Sequence, residues 1–74
     1  MNAEYERALG RNIRALRRKK GFSQEQLAAH LQLRGCDVTR SALAKMEVGQ
    51  RHIYPDELRA LRDILAVPYE ELFV

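Results

Sequence analysis

Two stretches decide how this chain is read: Phe22-Ser23-Gln24-Glu25-Gln26-Leu27-Ala28 and, ten residues on, Val38-Thr39-Arg40-Ser41-Ala42-Leu43-Ala44-Lys45-Met46-Glu47-Val48-Gly49. Each reads as a helix with its own start signal. Ser23 and Gln26 stand at capping-box spacing, where side chains satisfy the free N–H groups of a first turn. Phe22 before the cap and Leu27 at the fourth helical position have the spacing of a hydrophobic staple. Leu27 and Leu31 form the inner stripe, Ala28 and Ala29 admit a close neighbour, and Gly35 marks the expected end. Thr39 caps the next helix, Leu43 and Met46 face inward with Val38 as anchor, and Gly49 closes it. The opposite side carries Arg40, Ser41, Ala44, Lys45 and Val48. Small residues between two cations let that helix axis lie close to another surface.

Working outward, Tyr5, Leu9, Ile13 and Leu16 recur at steps of 4, 4 and 3, one stripe of a helix running from Ala3 to Lys20 and stopped by Gly21. Arg17, Arg18, Lys19 and Lys20 fill its last turn. They suit the negative end of the helix dipole, and they equally suit phosphate. Pro55 belongs in the first turn of a fourth helix, with Asp56 and Glu57 at its positive end, Leu58, Leu61 and Leu65 inward and Ile64 at the margin. Pro68 opens a short last helix with Glu70 and Glu71 near its start and Tyr69, Leu72 and Phe73 as its apolar residues. No strand-like alternation or internal repeat is present, so the expected class is an all-α bundle of five helices.

The chain has 74 residues, which allows one domain, expected over 1–74, with a thin core. With no Trp, three Tyr and two Phe, that core must be aliphatic. Cys36, the one cysteine, has no internal disulfide partner and points to a reducing compartment. No apolar run has membrane-spanning length and no signal-peptide core precedes the first helix, so the expected location is the cytoplasm. His30 and His52 lie in separate segments, Cys36 has no evident base, and no Gly-rich phosphate loop exists. An enzyme is therefore disfavoured, and no metal or cofactor is expected. Residues 1–21 carry seven Arg or Lys against two Glu, whereas residues 52–74 carry two Arg against five carboxylates. Such asymmetry either presents a basic face to a polyanion or marks solvated helix surfaces.

Taken in order, the segment Phe22–Ala28, the segment Val38–Gly49, Glu57-Leu58 and Val67-Pro-Tyr-Glu-Glu-Leu-Phe73 resemble the lambda-repressor/Cro type of helix-turn-helix, the XRE family, over roughly residues 7–73. The resemblance implies a five-helix, lambda-repressor-like DNA-binding domain whose second and third helices form the reading unit. It places Arg40, Ser41 and Lys45 at base edges and Gln24 at a phosphate or an outer base. Ser23, Thr39 and Arg51 fall near phosphates; Ser23 and Thr39 are caps in either case. Glu47 sits at the edge of the buried stripe and needs a partner. Arg17 lies at the matching margin of the first helix, and the family pairs these two positions. That pair is architectural, because a carboxylate facing phosphates is repelled.

One departure from the family is plain. The connection Leu31-Gln-Leu-Arg-Gly-Cys-Asp-Val-Thr39 is about four residues longer than the family's tight turn. The extra residues either extend the second helix or bulge from the turn. Arg34 there reaches either solvent or a DNA backbone, and Cys36 is either a small buried residue or a redox switch. The implied function is a sequence-specific double-stranded-DNA-binding transcriptional regulator, a repressor, acting as a homodimer. The competing reading is a protein-interaction module on the same fold, an antitoxin or anti-repressor; it calls for aromatic or large aliphatic anchors on the third helix, which are absent.

Overall fold

The computed structural model describes residues 2–74. Its helices run in the order α1 (Ala3–Lys20), α2 (Gln24–Leu33), α3 (Arg40–Glu47), α4 (Pro55–Leu65) and α5 (Tyr69–Leu72). The capping signals become real hydrogen bonds. Ser23 Oγ accepts from Gln26 N at 3.1 Å while Gln26 Oε1 accepts from Ser23 N at 2.8 Å. Thr39 Oγ1 accepts from Ala42 N at 3.1 Å. Asn2 Oδ1 caps α1 through Tyr5 N at 3.0 Å.

Of the lengthened connection Leu31–Thr39, only Leu31, Gln32 and Leu33 are helix; the remaining residues form the exit from α2. Gly35, at φ 82°, takes the left-handed conformation that ends α2. Cys36 N then bonds back to Leu31 O at 3.0 Å and Gly35 N to Gln32 O at 3.0 Å, a Schellman closure. Cys36 and Val38 fold inward and Gln32 Nε2 donates to Val38 O at 3.0 Å. The lengthened connection is thus an ordered exit tied back onto α2 by these bonds.

One aliphatic core joins all five helices. Ile13, Leu27, Leu31, Val38, Leu43, Leu61 and Leu72 are fully buried in it, with Met46 almost so. Its membership differs from the expected stripes in places. Tyr5 is exposed and Leu16 only half-buried, packed against the edge of the core. In α4, Ala60 and Ile64 are buried while Leu58 stays partly open. Gly10, which no periodicity marks, is where α1 crosses α3: a Cβ there would meet Glu47 O at 2.8 Å, so only glycine permits the approach. No helix among the described residues is long and apolar enough to cross a membrane.

Candidate nucleic-acid interface

α3 is buried along Leu43, Met46 and Glu47 and open along Arg40, Ser41 and Lys45. Its buried side is locked to α1 by a charge pair. Arg17 Nε donates to Glu47 Oε2 at 2.7 Å and Arg17 Nη2 to Glu47 Oε1 at 3.2 Å. Arg17 Nη1 donates to Phe22 O at 2.8 Å, which fixes the exit of α1 as well. Gln24 Nε2 adds a third bond to the same carboxylate, onto Oε1 at 3.0 Å. So α1, α2 and α3 meet on one carboxylate.

In front of that knot lies an open groove of about 550 Å³, whose lining includes Arg14, Arg18, Gln24, Arg40, Ala44 and Val48. Its walls are cationic; Glu47 is occupied by Arg17, and Glu25 is the other carboxylate on the rim. Ser23 and Thr39 are exposed at the starts of α2 and α3, where free N–H groups and helix dipoles favour anions. Ser23 and Arg40 line this groove, Thr39 and Arg40 line the hollow next to it, and Ser41 and Lys45 are exposed on α3. Gln24 lines the groove with its amide turned to Glu47.

Arg51 is placed otherwise. Its Nη1 and Nη2 donate to Glu57 Oε1 and Oε2 at 2.9 and 3.0 Å, and Nη1 also donates to His52 O at 3.0 Å. Glu57 in turn accepts from Tyr54 N at 2.9 Å, capping α4. Burial pushes the Glu57 carboxyl up, but the Arg51 hydrogen bonds, the Tyr54 amide and the Arg51 charge outweigh it and hold it below the usual carboxylate range. Arg51 is a brace between the α3–α4 loop and α4, and any phosphate contact falls to the N–H groups left over. The signal in the sequence was Glu57 itself, three residues after the cap position of a Pro-started helix.

The sequence reading also missed Asn12, whose Nδ2 donates to Glu71 O at 2.8 Å and Leu72 O at 2.6 Å, tying α5 to α1. Nothing in local spacing announces a bond across some sixty residues of chain. Away from the groove, Arg34 pairs with Asp63 at 3.4 Å, which turns it toward α4. Cys36 is buried, with Sγ 3.9 Å from Asp56 O, and burial followed by Asp56 and Glu57 pushes its thiol up, away from the reactive thiolate. His30 is exposed and tilts against Phe22 at 4.9 Å between ring centroids. His52 Nδ1 lies 2.6 Å from Glu6 Oε1, joining the α3–α4 loop to the start of α1. Among the described residues no group of three or more His, Cys, Asp or Glu is arranged to hold a metal ion.

Comparison with known proteins agrees with this architecture. A family model described as a helix-turn-helix domain matches residues 8–72. Among solved structures, the crystal structure of the DNA-binding domain of BldD is similar, at 30% identity and a TM-score of 0.83, covering 100% of each chain. No curated protein matches the chain. Since the family match runs from within α1 to the end of α5, and the likeness to a solved member of the type extends over the whole fold, the chain belongs to the helix-turn-helix domain family, in its lambda-repressor-like form.

Proposed function

We propose that this chain is a sequence-specific double-stranded-DNA-binding transcriptional regulator, a repressor that works in the cytoplasm as a homodimer and reads the major groove with α3. The whole chain serves as one DNA-binding domain, without catalysis or a cofactor. The observation that carries this reading is the division of α3: one side locked into the core by Arg17–Glu47, the other presenting Arg40, Ser41 and Lys45 beside a cationic groove. The likeness to a solved DNA-binding domain supports it. Exposed Ser23 and Thr39 leave the starts of α2 and α3 open to phosphates.

Arg40 is in the first turn of α3, where an extended guanidinium reaches the O6 and N7 acceptors of guanine. Lys45, a little more than a turn later, suits a base acceptor or a phosphate. Selection of bound duplexes from a random pool tests the whole reading; a two-fold motif is the expected result. On the recovered site, Arg40→Ala is expected to cost about 1–3 kcal/mol and to relax preference at one base pair per half-site. A folded Arg40→Ala that keeps full discrimination removes the base-reading role from Arg40. A wild type that discriminates among no duplexes moves the protein-interaction module ahead.

A further inference from the structure

Arg7, Arg11, Arg14 and Arg18 recur along α1 at steps of 4, 3 and 4. At about 100° per residue they fall in a strip about 60° wide, running about 16 Å along the helix. All four are exposed, and none is in an ion pair among the described residues. The contrast within the chain is sharp: Arg17, Arg34, Arg51 and Arg62 each hold a carboxylate. Cations one turn apart on a helix repel one another, and here the chain's own acids do not relieve them. Asp56, Glu57, Asp63, Glu70 and Glu71 are on α4 and α5; of the nearer acids, Glu4 is in the first turn of α1, Glu6 pairs with His52, Glu47 with Arg17, and Glu25 is on the groove rim.

The strip borders α3. The α1 backbone at Gly10 lies against the Met46 and Glu47 carbonyls, and Arg7 lies on Gly49, just beyond the end of α3. Arg14 and Arg18 line the same groove as Arg40, Ala44 and Val48. A row of arginines whose backbone positions are about 4.5–6 Å apart along the helix suits a row of phosphates, each guanidinium fork able to give a phosphate two parallel hydrogen bonds.

We infer that Arg7, Arg11, Arg14 and Arg18 form a second, sequence-independent contact surface, for the phosphate backbone of the duplex outside the base pairs that α3 reads. This rests on the proposed reading of DNA by α3. The ridge supplies affinity and encounter rate for any duplex, and α3 supplies the choice among duplexes.

The test uses the intact chain and the duplex recovered by selection, in two lengths: with long flanks, and trimmed to the base pairs that show preference. Titrations over a range of salt compare the wild type, Arg7→Gln/Arg11→Gln, and Arg59→Gln, which removes an exposed cation from α4 beside Asp63 instead. On the long duplex the double variant is expected to lower the log–log salt slope by about 1–2 units and to weaken binding on the order of 10–100-fold near 0.1 M salt. Its ranking of sites stays that of the wild type, and Arg59→Gln keeps the wild-type slope. On the trimmed duplex, wild type and double variant bind alike. Should the Arg7 change disturb folding, as a melt would show, Arg11→Gln/Arg18→Gln serves in its place with the same expectation. An unchanged slope on the long duplex with discrimination intact overturns the ridge alone, as does an equal loss caused by Arg59→Gln. A wild type that binds no duplex overturns the ridge together with the reading of α3.

Discussion

At Glu47 a carboxylate lies beside the buried Leu43 and Met46, and its two oxygens accept three hydrogen bonds, two from Arg17 and one from Gln24. A buried charge is tolerated only when it is met in this way. Removing one partner of such a pair costs about 3–5 kcal/mol. A domain of this size holds only about 4–11 kcal/mol. Glu47→Ala is therefore expected to leave the chain marginally folded, with little rescue by salt. Denaturant titrations of Glu47→Ala, Arg17→Ala and the double variant check this, since strictly additive losses mean no coupling. Glu57 makes a different expectation. Its folded carboxyl is held low, by Arg51 and the Tyr54 amide working against burial. As pH falls below the ordinary carboxylate range, about 4.3, the unfolded chain takes up this proton before the folded one does. The stability Glu57 provides is thus complete above that pH and is lost as pH drops through its folded value. Glu57→Gln is expected to lower stability at pH 7 by about 2 kcal/mol and to flatten the acid limb of the profile. Urea midpoints between pH 7 and pH 2.5 measure both; an acid limb as steep as the wild type's contradicts the assignment.

Among the elements, α2 and α5 show opposite ways of being held. α2 has its own box at one end, a Schellman closure at the other, and a buried stripe of Leu27, Ala28 and Leu31 between. α5 has only four residues, far too few to be stable alone, and owes its place to buried Leu72 and to Asn12. Asn12→Leu removes both bonds to the Glu71 and Leu72 carbonyls, and about 1–2 kcal/mol of stability is expected to go with them. The loss should be local before it is global. The Phe73 amide, which bonds to Tyr69 O at 3.0 Å, is then expected to exchange faster while the amides of α2 and α3 keep their protection. Uniformly faster exchange in every helix argues against a separate role for the clamp.

Over the whole molecule, charge and apolar exposure divide the surface. Arg40 shares one groove with Arg14 and Arg18 of α1, and the acidic α4–α5 end carries Tyr69 and Phe73, about two-fifths exposed, with Val74 beyond. Tyr69 and Phe73 stack at 6.2 Å between ring centroids, and the Arg62 guanidinium lies 4.7 Å from the Tyr69 centroid. Pairing of two copies through the apolar Tyr69, Phe73 and Val74 of this end buries exposed apolar surface and keeps both basic faces free. Sedimentation of Phe73→Glu checks the proposed dimer: a shift to monomer is expected, and an unchanged dimer of a folded variant sinks this location.

Local chemistry in the chain was enough for the five helices and for the caps and inner stripes of α2 and α3, because each depends on residues within a turn or two of one another. Ser23 with Gln26, Thr39 before Arg40, and Leu27 with Leu31 are of that kind. Helical geometry set Arg40, Ser41 and Lys45 on the side of α3 away from Leu43 and Met46, while their assignment to base edges came from the family resemblance. What tertiary structure decided was everything that depends on which helices meet. Gly10 reads as a flaw in α1 until α3 is laid across it. Arg51 reads as a free cation until α4 brings Glu57 to it, and Asn12 as a surface amide until α5 ends beside it. Periodicity tells which side of a helix faces inward, but the partner of a long polar side chain is chosen by the crossing of two helices, and no spacing along the chain encodes that distance.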